Sequence, residues 1–137
     1  MLDDYLARFD RTGRALGLGP AQLHEVEAKS GGMTAEAAAL RRALPAGARV
    51  ICLDERGQTD SSPQFAARIA AIRDDGRGDL AFVIGGADGL DPQMRRAAEG
   101  LLSFGPMVWP HMLVRVMLAE QLYRAASILA GSPYHRA

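Results

Sequence analysis

The most informative segment of the chain is Leu80-Ala-Phe-Val-Ile-Gly-Gly-Ala-Asp-Gly-Leu90. Its first five residues form a continuous apolar run, which is typical of a strand buried on both faces of a parallel sheet. The glycines that follow allow the backbone to approach a ligand closely at the carboxyl end of that strand. A tight turn that needs positive φ explains the same glycines, so both interpretations stay open. The segment matches neither the G-x-G-x-x-G fingerprint nor a phosphate-binding P-loop.

Strands and helices are predicted to alternate on both sides of this segment. A second apolar strand is predicted over Arg49–Leu53, and a short strand around residues 22–28. Helices are predicted over residues 2–11, over 34–44 with Thr34 as N-cap, from Ser62 with Pro63 in the first turn, from Asp91 through Glu99, and over His111–Ala130. This alternation predicts an α/β domain with a mostly parallel sheet.

Composition excludes several classes of protein. The 137 residues suit one domain, and charged residues interrupt the apolar stretch Met112–Ala130, which argues against a membrane span. We expect no secretory signal, since no basic segment followed by an apolar one opens the sequence, and we expect the single Cys52 to be a buried thiol in a reducing cytoplasm. One cysteine and three dispersed histidines do not give the spacing of a metal site.

The distribution of charge along the chain is more informative than the net charge. The formal net charge is zero, which does not favour a nucleic-acid partner. Residues 111–137, however, hold three arginines and two histidines against one glutamate. This local basic character favours an RNA contact near the end of the chain, although arginines of this kind also occur on solvated helix faces.

The loop Phe104-Gly-Pro-Met-Val-Trp109 contains the only tryptophan and is followed by Pro110. A rigid, partly apolar loop of this kind suits the edge of an adenine pocket. Trp109 is equally well explained as a residue of the core.

Several segments of the chain resemble a known protein family. Phe82–Leu90, Trp109–Ala125 and Ser132–Arg136 resemble the large-subunit rRNA methyltransferase H family, and the resemblance extends to Leu2–Phe9 and Cys52–Asp54. It implies an enzyme that uses S-adenosyl-L-methionine to methylate N3 of a pseudouridine in 23S rRNA of the assembled ribosome. It also implies a cytoplasmic homodimer.

The resemblance further implies the architecture. Residues 1–137 would form one SPOUT methyltransferase domain, with a deep trefoil knot over approximately residues 80–137. The family opens with a strand ahead of the helix matched by Leu2–Phe9. This chain begins at that helix, so we expect the first strand of the family to be missing and the sheet to be less stable.

Site residues are carried over from the family by position. The resemblance implies cofactor contacts at Leu53, Gly85 and the loop residues Phe104, Gly105, Pro106, Met107, Val108 and Trp109. It makes His135 and Arg124 catalytic candidates, with His135 as a possible acceptor of the N3 proton, and Tyr134, Arg136 and His111 substrate-side candidates. A frayed, merely polar terminus is the alternative for the tail.

Two other functions stay open. One is a catalytically silent relative that binds the cofactor or the ribosome without turnover. The other is a plain α/β nucleotide-binding module without an RNA partner.

The last helix predicts an interface. The apolar residues of Met112–Ala130 surround the helix too widely for one core-facing stripe, and an exposed apolar face of this kind usually marks a contact with another chain. They include Val114, Met117, Leu118, Leu122, Tyr123, Ile128 and Leu129. The sequence therefore predicts an obligate dimer.

Overall fold

The computed structural model describes residues 1–26, 32–76, 78–86 and 89–135. Its elements are α1 (Leu2–Gly13), a 3₁₀ turn (Arg14–Leu16), α2 (Gly32–Ala43), β1 (Arg49–Gln58), α3 (Ser62–Asp74), β2 (Leu80–Ile84), α4 (Pro92–Ala97), β3 (Gly100–Leu102) and α5 (His111–Ala130). The chain divides into two compact units. The helical unit comprises residues 1–22, 60–76 and 112–137, and the sheet unit comprises residues 23–59 and 77–111.

The described residues of the sheet unit form three strands in the order β2-β1-β3, and both pairings are parallel. Leu53 in the central strand lies opposite Ile84 on one side and Leu102 on the other. The predicted α/β class with a mostly parallel sheet is therefore confirmed. The strand Leu80–Ile84 has the predicted bounds.

The central strand β1 runs five residues beyond its predicted end at Leu53. Both Leu53 and Gln58 pair with Leu102, so the four residues between them bulge out of the ladder. Those residues are charged or are glycine, so the apolar pattern did not predict that the strand continues beyond Leu53. The Asp54 carboxylate in the bulge is 7% exposed and lies 3.6 Å from the Arg95 guanidinium of α4.

The core of the sheet unit joins the strands to α2 and α4. Its buried members are Ala37, Cys52, Val83, Leu90 and Met94. Cys52 is fully buried, as predicted, and burial together with nearby Asp54 raises the pKa of its thiol to about 11. The thiol is therefore neutral and acts as a small apolar side chain.

The helical unit is built from α1, α3 and α5. A capping box starts α3, because Ser61 accepts from the Gln64 N–H while the Gln64 side chain accepts from the Ser61 N–H. The helix therefore begins at the predicted Ser62, with Ser61 as its cap. The end of α5 is also as predicted, since Gly131 adopts φ +72° and the Ser132 N–H returns to the Ser127 carbonyl.

One predicted strand and the bounds of two predicted helices also differ from the structure. Residues 21–26 have no regular structure where a strand was expected around 22–28, and residues 27–31 lie outside the described part of the chain. Helix α2 begins at Gly32, so Thr34 lies inside its first turn. Helix α4 ends at Ala97 instead of Glu99, because the Glu99 N–H bonds to the Val50 carbonyl at the start of the sheet pairing. Within the described residues, no helix is both long enough and apolar enough to span a membrane.

Candidate functional site

The carboxyl edge of the sheet collects the three segments that the sequence singled out for the cofactor. Gly85 follows Ile84, and Ser103 follows Leu102, while Leu53 lies opposite both strand ends. Neighbouring strands lie about 4.8 Å apart, so the three segments start within roughly 10 Å of one another. Ligands of open parallel sheets bind at this edge.

Ser103 fixes the path of the chain as it leaves β3. Its N–H donates to the Gln58 carbonyl at 2.9 Å, and its hydroxyl accepts from the Gly105 N–H at 3.0 Å. The hydroxyl also lies 3.2 Å from the Glu55 carbonyl, to which it can donate. Ser103 is buried and ties the loop to the bulge of β1.

Beyond Ser103 the loop is exposed and loosely packed. Gly105 adopts φ +104°, which favours glycine, and among the described residues beyond its two chain neighbours no atom lies within 4 Å of the position that a Cβ would occupy there. Met107, Val108 and Trp109 are 68%, 86% and 37% exposed. Trp109 is therefore not a core residue, and the loop presents apolar side chains at the edge of the sheet.

The glycine turn after β2 is closely packed. A Cβ at Gly85 would lie 2.8 Å from the Leu90 Cγ and 2.9 Å from the Gly89 carbonyl carbon. Close packing therefore requires glycine at position 85, whereas the positive φ that the tight-turn interpretation needs occurs at Gly89, with φ +79°. A side chain there would first collide with the protein, before it could meet a ligand.

Glu36 of α2 holds the same turn from the other side. Its Oε1 accepts from the Gly86 N–H at 3.0 Å. A Cβ at Gly86 would overlap the Glu36 carboxylate, so the two groups are in close contact. Ala87 and Asp88, which complete the predicted glycine segment, lie outside the described residues.

The C-terminal tail folds back onto α5 in the helical unit. The Tyr134 hydroxyl donates to Oε2 of Glu120 at 2.7 Å. Arg124 binds the same carboxylate with two nitrogens, NH2 to Oε2 at 2.7 Å and Nε to Oε1 at 3.2 Å. The Tyr134 ring lies 4.5 Å from the Tyr123 ring and 4.9 Å from the Arg124 guanidinium carbon. Tyr134 is thus docked and not frayed.

His135 is held by Arg124. Its Nδ1 lies 3.1 Å from the Arg124 NH1. Because a guanidinium can only donate, Nδ1 must accept, and the ring proton of this arrangement is therefore on Nε2. The structure brings both catalytic candidates, Arg124 and His135, into direct contact.

Ionisation reinforces this arrangement. Burial acts to raise the pKa of Glu120, but hydrogen bonds from Arg124 and Tyr134 outweigh it, so the pKa lies below its usual 4.5. The hydrogen bond to Glu120 raises the pKa of Arg124 despite partial burial. Burial and the bond to the Glu120 carboxylate raise the pKa of Tyr134 to about 12. At neutral pH the tail is therefore held by a carboxylate, a guanidinium and a neutral phenol.

The remaining substrate-side candidates are His111 and Arg136. His111 is the first residue of α5 and belongs to the sheet unit. Arg136 lies outside the described residues. Among the described residues, no group of three or more His, Cys, Asp or Glu side chains could hold a metal ion.

Three residues of these sites were missed by the sequence analysis, namely Glu36, Ser103 and Glu120. Glu120 precedes Arg124 by four residues, which is the spacing of a helical ion pair and could have indicated that contact. The contacts of Glu120 with Tyr134 and of Glu36 with Gly86 join residues that are distant in sequence, so they need the tertiary structure. The Ser103-Phe-Gly105 sequence is compatible with a local serine turn, a common pattern that does not by itself indicate a ligand site.

Comparison with known proteins gives one consistent result. A family model described as predicted SPOUT methyltransferase matches residues 1–135. The chain is 72% identical to Ribosomal RNA large subunit methyltransferase H of Ruegeria pomeroyi, an alignment that covers 99% of this chain and 88% of that protein. Proteins of the same name from Roseobacter denitrificans and Paracoccus denitrificans are 69% and 66% identical, with the same two coverages.

Proposed function

The chain belongs to the SPOUT methyltransferase family, and we propose from this membership that it methylates ribosomal RNA with S-adenosyl-L-methionine. The observation that carries the proposal is the 66–72% identity, along almost the whole chain, to relatives named Ribosomal RNA large subunit methyltransferase H. We further propose that the target is N3 of a pseudouridine in 23S rRNA of the assembled ribosome. The protein would then act in the cytoplasm.

We propose that the carboxyl edge of the sheet binds the cofactor. The contacts would come from Leu53, from the turn at Gly85 and from the loop Phe104–Trp109. The residues present fit such a ligand, because Gly105 leaves its backbone open to approach and the loop exposes apolar side chains that suit an adenine ring. When bound, the cofactor supplies a methyl group activated by its sulfonium sulfur.

Methylation at N3 requires loss of a proton whose pKa lies well above neutrality. We propose that Arg124 and His135 assist this step from the substrate side. Acceptance of the proton by His135 would need a free ring nitrogen, but its Nδ1 accepts from Arg124. We therefore assign His135 the role of a donor, through Nε2–H, to a carbonyl oxygen beside N3, while the proton leaves to water. Charge that develops on that oxygen is stabilised by the imidazole N–H and the nearby guanidinium.

Tyr134, Arg136 and His111 remain proposed substrate contacts. The Tyr134 hydroxyl is engaged by Glu120, so its contribution would come from the ring and from its place in the tail. Arg136 would pair with an RNA phosphate.

We propose a homodimer formed through α5. Met112 and Leu113 at the start of this helix are 60% and 42% exposed. Exposed apolar side chains of this kind favour a protein contact.

We also propose that residues 1–137 form a single SPOUT domain with its knot over approximately residues 80–137. Both compact units are assembled from segments that alternate along the chain, so neither unit is a separate stretch of sequence. This interleaving supports one domain over two consecutive ones.

Transfer of a labelled methyl group separates the proposed function from its two rivals. The purified protein is incubated with methyl-labelled cofactor and either intact ribosomes or protein-free 23S rRNA that lack the modification. We expect label in the rRNA of intact ribosomes. Cofactor binding without transfer to either substrate would indicate a silent relative. Absence of cofactor binding in calorimetry would indicate a module of another kind.

A further inference from the structure

Glu120 is the common partner of the residues that hold the C-terminal tail. Its carboxylate receives hydrogen bonds from the Arg124 guanidinium, the Tyr134 hydroxyl and the Gln121 amide. The Glu120 side chain is 18% exposed, so most of its surface is withdrawn from water. Neither the resemblance nor the sequence pattern assigns a role to this residue.

The contacts form a chain from α5 to the imidazole. Glu120 occupies the Nε and NH2 nitrogens of Arg124, and this orients the remaining NH1 toward Nδ1 of His135 at 3.1 Å. A planar guanidinium bound through two nitrogens has little rotational freedom, so the direction of its third nitrogen is set. Tyr134 is fixed by the same carboxylate and immediately precedes His135.

We propose that Glu120 is a positioning residue for the methyl transfer: it orients Arg124 and Tyr134, and through them it holds His135 in the tautomer protonated at Nε2. This inference rests on the proposed function, in which the tail acts on the substrate. Glu120 itself needs no contact with substrate or cofactor. Its effect is to present one defined N–H donor to the RNA in place of an imidazole that exchanges between two tautomers.

The test uses the full-length protein with Glu120→Gln, Tyr134→Phe and a control. Glu120→Gln keeps the shape of the side chain and removes its charge, and Tyr134→Phe removes one of the bonds. The control is Glu99→Gln, which removes the charge from another Arg–Glu pair, 2.7 Å between Arg49 Nε and the Glu99 carboxylate, in the sheet unit. Cofactor affinity, kcat and KM on intact ribosomes, and the ¹⁵N spectra of the histidine rings are measured for each protein.

We expect Glu120→Gln to lower kcat at saturating ribosomes by at least about tenfold while the Kd for the cofactor changes by less than about twofold. Tyr134→Phe should lower kcat in the same direction by a smaller factor, and Glu99→Gln should leave it unchanged. The His135 signals should show a single Nε2–H tautomer in the wild type and averaging between tautomers in Glu120→Gln. Only three histidines occur in the chain, so assignment is practicable.

Full kcat in Glu120→Gln, or an Nδ1–H tautomer in the wild type, would overturn the inference. If Glu120→Gln does not fold, kcat and the His135 tautomer are measured in Tyr134→Phe instead. Wild-type values of both in that variant would also overturn the inference. The tautomer can be read without turnover. A wild-type protein that transfers no methyl group would therefore refute the proposed function, while the spectra would still test the positioning by Glu120.

Discussion

Gly85→Ala should damage both stability and cofactor binding. The added Cβ would lie 2.8 Å from the Leu90 Cγ and 2.9 Å from the Gly89 carbonyl carbon, distances at which something must move. Leu90 is 4% exposed and belongs to the core of the sheet unit, so it has little room to retreat. Overpacking of a well-packed site costs about 1–3 kcal/mol. For a chain of this size that corresponds to a fall in Tm of roughly 3–12 °C.

The matched control is Gly47→Ala. Gly47 adopts φ +74°, and no atom of the described residues other than its chain neighbours lies within 4 Å of its Cβ position, so the change costs only the conformational penalty, about 1 kcal/mol. Thermal unfolding and calorimetric titration with S-adenosyl-L-methionine are compared for both variants. We expect Gly47→Ala to bind the cofactor normally and Gly85→Ala to bind it at least about tenfold more weakly. Wild-type stability and affinity in Gly85→Ala would refute the packing argument and the placement of the cofactor at this turn.

Three further predictions follow from the tail and from α5. Removal of residues 134–137 should leave the cofactor Kd nearly unchanged and lower methylation of ribosomes by at least about tenfold, or roughly 1.4 kcal/mol; full activity would exclude the tail. Because the folded pKa of Glu120 is lowered, its stabilisation of the docked tail is present above its ordinary pKa of 4.5 and is lost as the pH falls below it. Tyr134, with its pKa raised to about 12, acts oppositely: its contribution is complete below pH 10 and is lost as the pH rises through 12. Tyrosine fluorescence or NMR shifts of Tyr134 across both ranges, with Glu120→Gln lacking the acid transition, would check the signs. Light scattering should report a dimer at micromolar concentration, and Met112→Arg at the exposed start of α5 should shift it toward monomer; a wild-type monomer would contradict the proposed interface.

Local patterns predicted most of the framework. The apolar run Leu80–Ile84 and the helix His111–Ala130 have their predicted bounds, because each pattern ends directly before a glycine. The predicted strand around residues 22–28 failed over residues 22–26, where no alternation of apolar and polar side chains supported it. The continuation of β1 to Gln58 was missed because Asp54, Glu55 and Arg56 carry charged side chains and Gly57 carries none, so the apolar pattern stops at Leu53.

The candidate sites were predicted only in part. The sequence placed Gly85 after a strand and Phe104–Trp109 in a loop with no defined strand before it, and the sheet order explains why both segments meet at one edge. It gave a different reason for Gly85, since the contact that requires glycine is made by Leu90, five residues away. Glu120 escaped notice because a glutamate on a long helix is ordinarily a solvated residue, and its partner Tyr134 lies fourteen residues further along the chain.

The most direct test of the proposed function is the identity of the methylated nucleoside. Ribosomes that lack the modification are incubated with the purified protein and S-adenosyl-L-methionine, and the nucleosides of the 23S rRNA are then separated and identified by mass spectrometry. We expect one N3-methylpseudouridine per ribosome and far less product when protein-free rRNA replaces the ribosome. Cofactor-dependent methylation of a different nucleoside would contradict the proposed function. So would the absence of any methylated nucleoside when the protein is folded and binds the cofactor.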